Sequence, residues 1–304
     1  MEKFEINILG CGAALPTPRR LSSSQIVNIR EKLFMLDCAE GTQMALRRSR
    51  LPFSHLQAIF LTHLHGDHTF GLIGMLSTFG LLGRIQDLHI YGPKDLQRIF
   101  QPQIDYFCAD SPYHIILHEI DPNTPKTLYE DRSVCISTLP LSHRVPCCGY
   151  LFREKPTPRH IRRDMIDFYH IPISQINNIK AGMDWTTEDG TIIPNERLTT
   201  PSDPVRSYAY CTDTTYRPRL TELIHGITCL YHEATFAQEH ALLAQKTFHS
   251  TAAQAAQIAR DAQVQRLILG HFSSRYKSEA PLLAEAQQIF PDTLLAEDGM
   301  KITL

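Results

Sequence analysis

No CxxC pair occurs among the eight cysteines, no uncharged run is long enough to cross a bilayer, and neither sign of charge dominates the chain. Each absence excludes something. The thiols at 11, 38, 108, 135, 147, 148, 211 and 229 lack the spacing of a structural zinc site or a dithiol redox motif. A disulfide between the adjacent Cys147 and Cys148 would be strained, so free buried thiols in a reducing cytoplasm are expected. The longest uncharged run, Thr69 to Gly83, is too short for a membrane helix. The opening MEKFEINILGCGAALP carries Glu2 and Glu5 where a secretory leader would be basic, so neither export nor a membrane anchor is expected. With 30 Lys and Arg against 32 Asp and Glu, the net charge of −2 excludes a generally basic nucleic-acid coat. A phosphate-binding surface must then be local.

What is present is enough for a core. The 304 residues, 43% hydrophobic, suit one large domain or two small ones. FEINILGCG reads as a strand entering a turn, SSQIVNI and KLFMLDC as a hairpin across RE, and LQAIFLT as a further strand. FGLIGMLSTFGLL, apolar nearly all round, fits a buried helix, and KDLQRIFQPQIDYF is helical until Pro102 interrupts it. DLHIYG, HIILHEI, SVCISTLPL, SYAYCTD, TCLYHEATF, RLILGHF and KITL read as strands. STAAQAAQIARDA and SEAPLLAEAQQIF read as helices, the first capped by Ser250 or Thr251. Strands alternating with helices in both halves predict layered sheets with helices outside. Arg153 to about Pro204 stands apart, with six prolines, little periodicity and the basic run REKPTPRHIRRD. It reads as a protruding arm or long loop.

LTHLHGDH, from Leu61 to His68, packs three histidines and an aspartate into eight residues just where a strand ends. His63 and His65 sit two apart and can point the same way, Gly66 permits a tight turn, and Asp67 and His68 follow. Two pairs of donors are enough to begin two adjacent metal sites. Further donors stand at other strand ends: His143 after STLPLS, Asp213 after SYAYCT and His271 after RLILG. Any one of these alone reads as a structural residue; together they read as a metal centre.

HLHGDH with His143, Asp213 and His271 resembles the metallo-β-lactamase superfamily. LGCGAALPTPRRLSSS, DCAEGTQ, HEATF, CTDT, FHST and LGHFSSRY narrow the resemblance to the ribonuclease Z family. The resemblance implies an α/β fold, a four-layer αβ/βα sandwich, forming a single domain over residues 1–304 with an inserted flexible arm at 153–185 that serves as an exosite. It implies that His63, His65 and His143 hold one zinc, that Asp67, His68 and His271 hold a second, and that Asp213 bridges both. Mixed His/Asp donors suit two Zn2+ per subunit, and Mn2+ or Fe2+ fits the same set. It implies a cytoplasmic endoribonuclease that removes the 3′ trailer from precursor tRNA and works as a homodimer.

Under that reading two ions ~3.5–4 Å apart acidify a shared water. Asp67 is the natural proton acceptor, or a ligand only. His249 is the acid for the leaving ribose oxygen, with Glu233 orienting it and raising its pKa. Arg275 would clamp the scissile phosphate. PTPRR places Arg19 and Arg20 either near RNA phosphate or in a solvated turn. Arg153, Lys155, Arg159, Arg162, Arg163 and Lys180 would supply sequence-independent phosphate contacts. The arm departs from the family pattern: IPISQINNIKAG lacks the Gly-Pro stretch, although Lys180 and Gly182 keep the following turn. Two alternatives stand beside this reading, a metal-dependent phosphodiesterase for a smaller ester without tRNA docking, and an inactive RNA-binding module on the same fold.

Overall fold

The computed structural model describes residues 2–304. Its chain divides into two compact units, one made of Glu2–Arg153 and Arg206–Leu304, the other of Glu154–Val205.

The larger unit is built on two seven-stranded sheets. The first runs Lys301–Thr303, Phe4–Gly10, Ser24–Ile29, Lys32–Leu36, Leu56–Phe60, Leu88–Pro93, Ile115–Ile120, antiparallel up to Lys32–Leu36 and parallel from there. Arg30 and Glu31 both take positive φ (51° and 65°) at the hairpin expected across RE, the backbone twist that suits a two-residue turn. The second sheet runs Thr293–Leu295, Arg266–Gly270, Cys229–Glu233, Ser207–Cys211, Cys148–Glu154, Val134–Pro140, Thr127–Glu130. Its first four strands are mutually parallel.

Alternation decides which face is buried where. Phe4, Ile6 and Ile8 project to one side of their strand and join Phe34, Phe60, Tyr150, Phe152, Tyr208 and Tyr210 in a core between the sheets. Phe34 meets Phe152 at 5.9 Å and Phe60 meets Tyr150 at 5.2 Å, contacts that cross from one sheet to the other. Leu9, Ile26, Leu33 and Met35 project the other way, under the helices Thr42–Ser49, Leu72–Leu81 and Leu96–Phe107. The helices Ala252–Asp261 and Ala280–Ile289 pack on each other and on the second sheet. Helix, sheet, sheet, helix is the four-layer α/β arrangement of the metallo-β-lactamase fold.

Two local readings differ from the structure. The helix Leu96–Phe107 passes through Pro102 without ending. Pro102 is exposed, so its ring meets no packed neighbour and the one carbonyl it leaves unpaired faces water. The helix Leu72–Leu81 buries Leu72, Met75, Leu76 and Phe79 but leaves Leu81 85% exposed, so it is buried on one face only. The strand Cys148–Glu154, the helix Thr42–Ser49 and the short edge strands Thr127–Glu130 and Thr293–Leu295 carry no clear sequence signal.

The smaller unit is folded. Ile171, Ile179, Ile193 and Leu198 form its own buried cluster, with Met165, Tyr169 and Trp185 against it. Helices Arg163–Phe168 and Ile173–Lys180 lie within it. Asn195 holds the end of the second, donating from Nδ2 to the carbonyls of Ile179 and Met183.

Candidate metal centre and active site

Donors arrive where strands stop. The strand Leu56–Phe60 leads through Thr62 to His63 and His65, then into the short helix Gly66–Thr69 that carries Asp67 and His68. Val134–Pro140 leads to His143. The parallel strands Ser207–Cys211, Cys229–Glu233 and Arg266–Gly270 deliver Asp213, Glu233 and His271 at one edge of the second sheet. Asp213 and His271 leave their strands in the left-handed region, at φ 50° and 56°. Such backbone costs ~1–3 kcal/mol per residue and persists where the surroundings hold it.

The seven sequence-chosen donors converge. His63 with His65 and His143 form one group, and Asp67 with His68 and His271 another, the candidate atoms of each lying within 4.8 Å of one another. Asp213 divides its oxygens between them. Oδ1 lies 3.9 Å from His63 Nε2 and 3.8 Å from His143 Nε2; Oδ2 lies 3.1 Å from His68 Nε2 and 3.2 Å from His271 Nε2. Asp67 Oδ2 is 3.6 Å from His68 Nε2 and takes a hydrogen bond from Ala14 N–H at 2.9 Å.

The donor chemistry fits cations. His68 Nε2 and His271 Nε2 are buried and have no hydrogen-bond partner, although each faces carboxylates. A buried polar atom without a partner is costly unless something else meets it. Four of the five histidines are held from behind by an oxygen. Nδ1 of His63 meets Thr62 Oγ1 at 3.0 Å, that of His68 meets Asp37 Oδ2 at 2.8 Å, that of His143 meets the Phe248 carbonyl at 3.0 Å, and that of His271 meets Thr235 Oγ1 at 3.0 Å. Such rear contacts fix which ring nitrogen is free to ligate.

Electrostatics point the same way. Burial alone would depress His68, but Asp213 and Asp37 hold it well above the ordinary imidazole value. Asp213 and Asp67 both stay well below the usual carboxylate range; burial opposes this, and the neighbouring histidines outweigh it. The pocket carries carboxylates that demand positive charge.

Beside the donors sits a buried acid–base pair. Glu233 accepts from Thr214 N at 2.6 Å, Ser250 N at 3.0 Å and Thr235 Oγ1 at 2.6 Å, and both its oxygens lie within 3.2 Å of His249 Nδ1. So saturated a carboxylate is an orienting group rather than a further ligand. Burial disfavours charge on His249, yet the charge and hydrogen bond of Glu233 lift it to about 9. His249 Nδ1 lies 4.0 Å from Asp213 Oδ1, at the margin of the donor cluster.

The cleft over these groups has a volume of about 300 Å3 and is lined by Ala13–Leu15, Phe236, Ser273, Ser274 and the exposed Arg144 as well as by the donors. Arg275 is exposed and stacks its guanidinium 5.1 Å over the Phe236 ring. Thr17–Arg20 closes an exposed turn, the Arg20 amide donating to the Thr17 carbonyl at 3.3 Å, and both arginines reach back to the chain. Arg19 donates to the carbonyls of Tyr276 and Lys277, and Arg20 pairs with Glu279 and the Ala296 carbonyl. Arg159, Arg162, Arg163 and Lys180 all lie in the smaller unit, where the Arg159 amide donates to the Lys180 carbonyl. Arg162 pairs with Asp164, and Arg159 Nε donates to Thr199.

Sequence reasoning missed Asp37, Thr62, Thr235 and Arg144. Asp37 is fully buried and accepts from Thr62, His68 and Tyr210.

Comparison with known proteins adds two family models and close relatives. A model described as "Beta-lactamase superfamily domain" matches residues 197–272, and one described as "Anti-Pycsar protein Apyc1" matches residues 4–104. A protein of Bacteroides thetaiotaomicron named "Ribonuclease Z" is 58% identical over 304 residues, covering 100% of this chain and 96% of the relative. One of Porphyromonas gingivalis with the same name is 48% identical, with both chains fully covered. The crystal structure of the short form of human tRNase Z superposes with a TM-score of 0.70 at 25% identity, covering 98% of each chain.

Proposed function

Because this chain belongs to the ribonuclease Z family, we propose that it is the zinc-dependent endoribonuclease that cuts the 3′ trailer from precursor tRNA, leaving a 3′-hydroxyl on the tRNA and a 5′-phosphate on the trailer. The observation that carries the reading is the division of Asp213 between two histidine sets, with a charged His249 4.0 Å away. His63, His65 and His143 would hold one cation, Asp67, His68 and His271 the other, with Asp213 shared. Two such ions supply an acidified water and positive charge against the phosphate. Zinc suits these nitrogen and oxygen donors, and manganese or iron fits the same set.

The chain's own residues do the rest. Asp67 stays an anion in this setting and draws off the proton of the attacking water. His249, protonated at neutral pH because Glu233 lies behind it, gives a proton to the ribose 3′-oxygen as that bond breaks. Arg144, which lines the cleft, and Arg275, stacked over the cleft residue Phe236, contact the scissile phosphate. Arg159, Arg162, Arg163 and Lys180 of the arm, the exosite within 153–185, grip the tRNA backbone. The active form is a homodimer, and the eight free thiols fit a cytoplasmic location.

Metal-analysed protein incubated with a 3′-extended precursor tRNA tests this. Trailer release with the stated ends is expected; a fully loaded preparation that leaves the precursor intact ends the reading. A cleft of about 300 Å3 also admits a small ester, which keeps the phosphodiesterase alternative in view. Replacing Glu154–Val205 with a short turn separates the two. Loss of precursor cleavage with continued hydrolysis of bis(4-nitrophenyl) phosphate supports tRNA docking by the arm, retention of both removes the arm from docking, and a native protein that hydrolyses only the small ester supports the alternative.

A further inference from the structure

Next to the metal cleft lies a second cavity of about 670 Å3, and His249 is the one described side chain that lines both. Apart from His249, none of the described residues lining this cavity is charged. Away from His249 it therefore suits a neutral group rather than a phosphate. Two aromatic residues line it, Phe248 at 38% and Tyr216 at 36% exposure, together with Gln245. Phe248 sits in the left-handed region at φ 63°, and its carbonyl takes the His143 imidazole at 3.0 Å, so its place relative to the donor cluster is fixed. Thr215 N–H bonds to the Ser142 carbonyl at 2.9 Å, tying the opposite wall to the same loop.

We propose that this cavity binds the nucleoside whose 3′-oxygen leaves, the last one retained on the tRNA, with its base stacked on Phe248 and Tyr216. The inference rests on the endoribonuclease reading and deepens it. In-line displacement sets the leaving oxygen opposite the attacking one. The proton donor His249 must reach that oxygen, so the ribose bearing it lies against His249. Its base then extends away from the donors into the cavity that His249 also lines. Stacking on aromatic rings accepts any of the four bases, as a general tRNA substrate requires.

The test is a double-mutant cycle between enzyme and substrate. A precursor made abasic at the nucleotide just 5′ of the scissile bond is compared with the intact precursor, on the native protein and on Phe248→Ala and Tyr216→Ala. On native protein the missing base should lower kcat/KM by about 10-fold or more, mainly through KM. On the variants the same change should cost little further, because the stacking partner is already gone. Losses that simply multiply would overturn the inference. So would coupling of either ring to an abasic site at the first trailer nucleotide instead. Native protein that leaves the intact precursor uncut would overturn the endoribonuclease reading itself.

Discussion

Thr235 has one hydroxyl hydrogen and several acceptors within reach, and the choice among them sets the tautomer of His271. Glu233 Oε2, a buried carboxylate at 2.6 Å, takes the hydrogen in preference to the His271 carbonyl at 2.9 Å. The hydroxyl oxygen is then free to accept Nδ1–H of His271 at 3.0 Å. That fixes the tautomer whose Nε2 lone pair faces Asp213. Thr235→Val keeps the shape and removes the acceptor. Loss of such a rear contact typically weakens metal affinity 10–100-fold, or ~1.4–2.8 kcal/mol. The set His63, His65 and His143 does not touch Thr235, so only one of two binding steps should change. Zinc titration against a competing chelator, with circular dichroism to check the fold, reads this directly. Thr235→Ser, which keeps the hydroxyl, should restore the native affinity. Two unchanged binding steps in the valine variant, or a serine variant as weak as valine, would refute the reasoning.

Asp37→Ala leaves His68 Nδ1, Tyr210 OH and Thr62 N–H without their buried acceptor. Denaturant unfolding should show a loss of ~3–5 kcal/mol, and a loss under ~1 would contradict the role assigned. A Cβ at Gly71 would collide with the Ala39 carbonyl, whereas at Gly74 its nearest neighbour is the movable Gln43 Oε1 at 3.6 Å. Gly71→Ala should therefore destabilise by ~1–3 kcal/mol, while Gly74→Ala should be neutral or stabilise by up to ~1 kcal/mol; equal melting shifts would sink the contrast. Glu233 raises His249 to about 9, so Glu233→Gln should lower that value. The acid role proposed for His249 needs its protonated form, so the alkaline limb of the kcat–pH profile should move to lower pH, and a limb that stays put would remove His249 as the acid.

The convergence of the seven candidate donors was legible because each follows a strand whose apolar run is visible, and Leu61–His68 concentrates four of them in eight residues. Asp37 was not, because it sits at the end of KLFMLDC, read as one strand of a hairpin, and its partner His68 lies 31 residues away. Thr235 looked like filler inside HEATF; its role appears only when His271 is brought beside it by parallel pairing of Cys229–Glu233 with Arg266–Gly270. The basic stretch was visible as charge, but the fold around it was not. Ile171, Ile179, Ile193 and Leu198 are spread among prolines with no helical or strand period, so their clustering depends on loops rather than on a repeating face. Pro102 misled because a local rule about an absent amide says nothing of whether that side of the helix meets solvent.

Arg153 and Ser207 stand opposite each other in the antiparallel pairing of Cys148–Glu154 with Ser207–Cys211. Fifty-three residues thus depart and return through a single rung of one ladder. Residues 155–205 add no rung to that ladder, while Arg206 closes the return by donating to the carbonyls of Glu2 and Leu304. The register from Ser207–Arg153 to Tyr210–Tyr150, which carries the chain on to Asp213, is set outside that segment. Under the proposed function, the segment that grips substrate can vary in length while the ladder keeps its pairing.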